Sequence, residues 1–189
     1  EVDQQKEDIR YLISKRILEI YASRQIVVTG PHKAIPITLN DHVNAEIKCL
    51  TGPERSFFIR SLSRSYRYRP FIVQELKKAG LPEEISWLPL IESGFNSSAK
   101  SHKDAQGLMQ LLPSTAEWIA KREKIKKYDL HNPRDNIMLG TAYFSYLLEK
   151  TDGDVEKAWI AYNAGIGRLK NEKWRQIEET TKYVQKLNF

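Results

Sequence analysis

Apolar side chains recur at helical spacing along most of the chain. Ile9, Leu12, Ile13, Ile17 and Ile20 predict an amphipathic helix over about residues 5–23. Residues 26–31 and 34–38 are β-branched but interrupted by Gly30, Pro31 and Pro36, the mark of an extended connector or edge strand. Asn40 or Asp41 can cap a short helix carrying Val43, Ile47 and Leu50, which ends near Thr51, Gly52 and Pro53. From Pro53 onward helix follows helix. Residues 54–67 turn Phe58, Ile59 and Leu62 inward, and Pro70 is expected to open a separate helix with Ile72, Val73, Leu76 and Ala79 on one face, closed by Gly80. Residues 83–93 follow as one helix, in which Pro89 is expected to cost a backbone donor. Residues 97–107, rich in Ser, Lys and His, read as loop, and residues 114–124 as helix. Asn132 and Pro133 cap and open a helix through Leu148; Asp152, Gly153 and Asp154 turn the chain and cap residues 155–162; a last helix covers about 174–187. The pattern predicts a mostly α fold: residues 1–60 form a helical or extended segment that packs on or links to a core, and residues 61–189 form that core.

Composition adds limits. At 41% hydrophobic and 29% charged, the 189 residues have globular rather than disordered usage and can bury a sizeable core. No apolar run reaches the roughly eighteen residues of a membrane span. The first residues, EVDQQKEDIR, carry neither a signal region nor an initiator Met, so a fragment or mature form is expected, with any export signal or anchor outside it. Cys49 is the only cysteine, which excludes an intramolecular disulfide and reads most simply as a buried thiol. The formal charge of +6 favours anionic partners. Arginines alternate with aromatics in RSLSRSYRYRP, yet no nucleic-acid motif surrounds them and a solvated helix face is the simpler reading. The segment from Asp152 to Glu156 lacks the ligand offsets of a calcium loop, and His32, His42, His102 and His131 have no zinc-site spacing. Neither metal nor cofactor is predicted.

One stretch carries chemistry. WLPLIESGF, from Trp87 to Phe95, sets Glu92 in apolar company near a helix end that Gly94 terminates. Helix C-termini carry partial negative charge, and Trp87, Leu88 and Ile91 would desolvate the side chain; both effects favour the protonated acid. Such an acid suits protonation of a leaving oxygen, although this stretch alone fits a salt-bridged structural glutamate better.

Further fragments follow in order: LIESGF at 90–95, AKS at 99–101, AQGLMQLLPSTA at 105–116, Asn132 with Pro133, NIMLG at 136–140, AYNAG at 161–165, Glu179 with Thr180, and Tyr183 with Val184. Together, residues 82–184 resemble the lytic transglycosylases with a goose-lysozyme-like catalytic domain, bacterial enzymes that cut peptidoglycan. Residues 62–82 look like the helical lead-in of the membrane-bound transglycosylase D subfamily. The resemblance implies a lysozyme-like helical catalytic domain with a helical N-terminal extension, a periplasmic or envelope location, and a monomer acting on glycan strands without cofactor or nucleic acid, with any membrane anchor outside this fragment.

It also implies roles. Glu92 matches the single catalytic acid that protonates the bond between N-acetylmuramic acid and N-acetylglucosamine and then acts as base. Most glycosidases need a second carboxylate, and the nearest, Asp104, sits in a polar run and matches no catalytic position. In this family the muramoyl C6 hydroxyl attacks its own C1 instead, leaving a 1,6-anhydro end. Ser101 matches a serine that hydrogen-bonds the acid or the substrate. Gly107, Met109 and Gln110 match the segment lining the saccharide cleft, although Leu108 and Met109 read from the residues alone as core. Tyr162 and Asn163 match the residues closing the cleft opposite the acid, and Glu179 with Tyr183 a C-terminal motif flanking it. Two positions depart from the pattern: Asp104 stands where the family has Gly, in a backbone that Asp tolerates less freely, and Thr181 where it has Arg. Alternatives are a goose-type lysozyme-like hydrolase and a non-catalytic peptidoglycan-binding protein.

Overall fold

The computed structural model describes residues 41–170. The helices expected over 5–23 and 174–187 and the connector between 26 and 38 lie outside the described residues, as do Glu179, Thr181 and Tyr183.

Seven α-helices follow one another: α1 (Asp41–Thr51), α2 (Arg55–Lys78), α3 (Leu88–Ser93), α4 (Pro113–Arg122), α5 (Pro133–Lys150), α6 (Val155–Ala164) and α7 (Ile166–Lys170). A 3-10 turn, Glu83–Trp87, leads into α3. Among the described residues there is no strand; two isolated bridges, Lys100 to Gln106 and Gln106 to Leu111, fold the long loop between α3 and α4 on itself. α5 is the central helix, packed against α2, α4 and α6.

Caps explain most boundaries. Asn132 accepts from the Arg134 N–H at 2.9 Å with Pro133 in the first turn, and Asp154 accepts from the Lys157 N–H at 3.0 Å. α2 ends where Gly80, at φ +67°, lets the Leu81 N–H return to the Leu76 carbonyl at 2.8 Å. α7, a single short turn after Gly165, was not expected from the sequence.

Two expectations about proline need correction. Pro70 does not open a helix; α2 runs unbroken through it, across the boundary expected at residue 60. The bond that Pro70 forgoes would reach the carbonyl of Tyr66, a residue 84% exposed, where water can substitute. Pro89, by contrast, costs no hydrogen bond. The 3-10 turn ends at Trp87 and α3 restarts at Leu88, which places Pro89 in the first turn where its N–H would have no acceptor.

The core gathers Ile72 and Leu76 from α2, Ile85 and Leu88 beside α3, Leu108 and Leu111 from the loop, and Ile137, Leu139, Phe144 and Leu147 from α5. Phe144 meets Trp159 of α6 edge to face, ring centroids 6.2 Å apart. The loop after α3 therefore contributes core residues of its own and is held from beneath.

Candidate active site

Glu92 lies in the last turn of α3, half-buried. Gly94 caps that helix at φ +58°, its N–H reaching the Leu90 carbonyl at 3.2 Å. A Cβ there would stand 2.7 Å from a ring carbon of Phe57 and 2.8 Å from the Ser61 hydroxyl, so any other residue would strain the backbone and displace those side chains. Arg64 adds a hydrogen bond to the Gly94 carbonyl at 3.3 Å. The N-terminal half of α2 thus grips the end of the helix that bears the acid.

The neighbouring loop is held to that helix and to α5. Ser93 donates to the Leu108 carbonyl at 2.9 Å. Asn136 of α5, fully buried, accepts from the Met109 N–H at 2.8 Å and donates to the carbonyls of Gln106 at 2.9 Å and Leu130 at 3.2 Å. Its amide lies so close that a Cβ at Gly107, φ +76°, would come within 2.3 Å of it. Gln110 adopts φ +47° and holds that conformation with its own side chain, donating to the carbonyls of Ala99 at 3.2 Å and Gly107 at 2.9 Å.

Tyr162 arrives from α6, and its hydroxyl donates to the Met109 carbonyl at 2.7 Å. Its pKa is pushed well above the ordinary tyrosine value, first by desolvation, then by the charge of Glu92 and by Tyr143. Acid and phenol, 70 positions apart in the chain, therefore feel one another electrostatically. Behind Tyr162 runs a row of aromatic rings: Tyr143 at 5.3 Å, Tyr146 stacked on Tyr143 at 6.5 Å, and Trp118 edge-on to Tyr146 at 4.6 Å. Trp118 is 43% exposed, so the row leads from the acid to solvent.

The structure brings Glu92, Gly107, Met109, Gln110 and Tyr162 into one assembly, with Asn163 half-buried beside Tyr162 on α6. Some take other parts than the sequence suggested. Met109 is 1% exposed with its side chain against Gly140, so what it offers the site is its carbonyl. The Ser101 hydroxyl accepts from the backbone N–H groups of Lys103 at 3.2 Å and Ala105 at 3.0 Å, bracing its own loop. Asp104 adopts φ +67°, the left-handed backbone its place in the pattern demanded, and its exposed carboxylate pairs with Lys100 at 2.6 Å. The hydrogen bond to Lys100 lowers its pKa. Among the described residues no group of three His, Cys, Asp or Glu side chains is placed to hold a metal ion.

Reading by motif gave no role to Asn136, Ser93, Tyr143, Tyr146 or Trp118. Asn136 had a signal, as the first residue of NIMLG. Tyr143 and Tyr146 had only their spacing of three on one helix face.

The transglycosylase SLT domain matches residues 69–185. A protein of Alteromonas sp. (strain M-1) named for tributyltin chloride resistance is 40% identical over 111 residues, 57% of this chain and 52% of that protein. The membrane-bound lytic murein transglycosylase D of Escherichia coli (strain K12) is 32% identical over 141 residues, 66% of this chain and 30% of that protein. Among solved structures, the lytic transglycosylase Slt of Pseudomonas aeruginosa, in an inactive mutant form with one glutamate replaced by glutamine, superposes with a TM-score of 0.58 at 34% identity over 63% of this chain and 22% of that one. The chain thus spans about half the length of the first of these relatives and less of the others.

Proposed function

The chain belongs to the transglycosylase SLT domain family, and from that premise we propose that it is a peptidoglycan lytic transglycosylase with Glu92 as its single acid and base. The observation that carries the reading is the placement of Glu92 at the C-terminal end of α3, beside the loop whose Leu108 and Met109 carbonyls accept from the hydroxyls of Ser93 and Tyr162. Glu92 is half-buried at that helix end, and the reaction asks it to arrive protonated. Glu92 gives its proton to the glycosidic oxygen as the C1–O bond breaks. The muramoyl C6 oxygen then bonds to C1, and the proton it sheds returns to Glu92, so the acid is regenerated and no water is consumed.

The supporting roles are part of the same proposal. Gly107 and Gln110 shape the cleft floor, Met109 fixes Tyr162 through its carbonyl, Tyr162 and Asn163 form the wall facing the acid, and the aromatic row offers faces to sugar rings. Ser101 keeps its loop beside Glu92, and its hydroxyl proton remains available to the acid or a sugar. Glu179 and Tyr183 are assigned substrate contact on the resemblance alone. Asp104, exposed and tied to Lys100, is poorly suited to be a second catalytic carboxylate. The substrate is a polymer of the bacterial cell envelope, and the protein is expected there. The Pseudomonas enzyme whose mutant form is inactive with one Glu replaced by Gln agrees with an essential glutamate.

Mass spectrometry of the fragments released from purified peptidoglycan tests the reaction: 1,6-anhydromuramoyl ends are expected. Hydrated ends would make the chain a lysozyme-like hydrolase, and sacculus binding without soluble product would make it a non-catalytic binder. Glu92→Gln should lower turnover at least a thousandfold with unchanged circular dichroism, and retained activity would remove Glu92 from its role.

A further inference from the structure

A polar cavity lies along the same helical grip. Arg64 and Arg67, one turn apart on α2, line a space of about 310 Å³ together with Tyr68, Asn96 and Ser97. No carboxylate lines it. Two other arginines, by contrast, are ion-paired: Arg69 with Glu83 at 2.9 Å and Arg122 with Glu149 at 3.1 Å. Arg64 spends one hydrogen bond on the Gly94 carbonyl at 3.3 Å, and Arg67 has no ion pair among the described residues. Like charges a helical turn apart repel, and an anion between them offsets that cost.

The uncharged lining is also rich in donors. Tyr68 donates to the Ser97 hydroxyl at 3.1 Å, which ties the helix to the loop and fixes one wall. The Asn96 side-chain oxygen is taken by the Ser98 N–H at 3.1 Å, which leaves its NH₂ to donate. Two guanidiniums and an amide in a volume this size fit a carboxylate with about one residue behind it, and a sugar chain would not fit. The wall begins at Phe95, three residues beyond Glu92.

We propose that this cavity takes a free carboxylate of the peptide stem borne by the glycan strand. The inference rests on the transglycosylase reading above: the stem hangs from the muramoyl sugar whose bond Glu92 cleaves, so it must leave the cleft close to the acid. A stem bound there adds substrate affinity without touching the reacting atoms, and it gives the enzyme a preference for strands that still carry acidic stems.

Arg67 is exposed, so Arg67→Gln should fold as the parent does, which circular dichroism and melting temperature check. Two measurements on the full chain then follow. In the first, kcat/KM is compared on intact strands and on strands stripped of stems by an amidase; the ratio of the two should fall about five- to tenfold in Arg67→Gln, through KM, and recover in part in Arg67→Lys. In the second, binding of the free tetrapeptide stem is titrated by NMR against that of the same peptide with its carboxylates amidated, together with inorganic phosphate and a short single-stranded oligonucleotide. The acidic peptide alone should bind, and Arg67→Gln should weaken it by a similar factor. An unchanged ratio with unchanged peptide binding would overturn the proposal, as would phosphate or oligonucleotide binding as tight as the peptide. If the parent chain cleaves neither glycan, the enzymatic reading fails while the peptide titration still decides the cavity's ligand.

Discussion

The Tyr162 hydroxyl meets two demands at once: it satisfies the Met109 carbonyl at 2.7 Å and presents a neutral phenol toward Glu92. Tyr162→Phe removes the donor and strands that carbonyl, so it should cost about 1–3 kcal/mol of stability and reduce turnover. The pH dependence of that cost has a definite sign. Desolvation, then Glu92, then Tyr143 raise the Tyr162 pKa in the fold, while in the unfolded chain it stays near 10. Above pH 10 the native state therefore holds a proton that the unfolded chain has released. The stabilisation is whole below that pH and drains away as pH climbs toward the folded value. Urea unfolding from pH 8 to 11 should show the stability gap between parent and Tyr162→Phe narrowing above pH 10. A gap that stays constant would mean that the phenol's environment does not favour its neutral form.

Helix ends were the most readable features of the chain, because a cap is a local event. Asn132, Asp154 and Gly94 each announce a boundary through their own side chain or their tolerance of positive φ. Prolines misled for the same reason: whether Pro70 starts a helix or rides inside one depends on what covers the Tyr66 carbonyl, and whether Pro89 breaks a helix depends on a 3-10 turn ending two residues earlier. The loop between α3 and α4 was legible as a motif but not as a mechanism. Its order comes from Asn136, 27 positions beyond Met109, and no local pattern encodes that bond. Asn136→Ala should therefore act well beyond its own helix. It leaves the Met109 N–H and the carbonyls of Gln106 and Leu130 unmatched, at an expected cost of about 3–5 kcal/mol, or a melting temperature lower by about 10 °C. Hydrogen exchange should accelerate at the amides of residues 106–111 before the rest of the domain opens. Uniform acceleration would mean that Asn136 supports the fold as a whole rather than this loop.

α2 runs from residue 55 to 78 and crosses the start of the SLT match at residue 69, so the helix that grips Gly94 includes a half that the family model does not cover. Phe57 and Ser61 press on Gly94 from that half, and it also bears Arg55, Arg60, Arg64 and Arg67, all exposed. Part of the chain's +6 charge therefore lies along this half of α2, whose Arg64 reaches the Gly94 carbonyl. If the chain acts on peptidoglycan as proposed, the carboxylates along that polymer should be attracted to this basic face through a long-range field rather than fixed contacts. Such a field is open to screening: the Debye length falls from about 10 Å at 0.1 M salt to about 3 Å at 1 M. Sacculus binding by the Glu92→Gln variant should weaken about tenfold or more between 0.05 and 0.5 M salt, while turnover of the parent on a short uncharged glycan should change less than twofold. Affinity that ignores salt would place the binding in neutral contacts with the sugars, and the arginines of α2 would then have to be explained by the stem cavity alone.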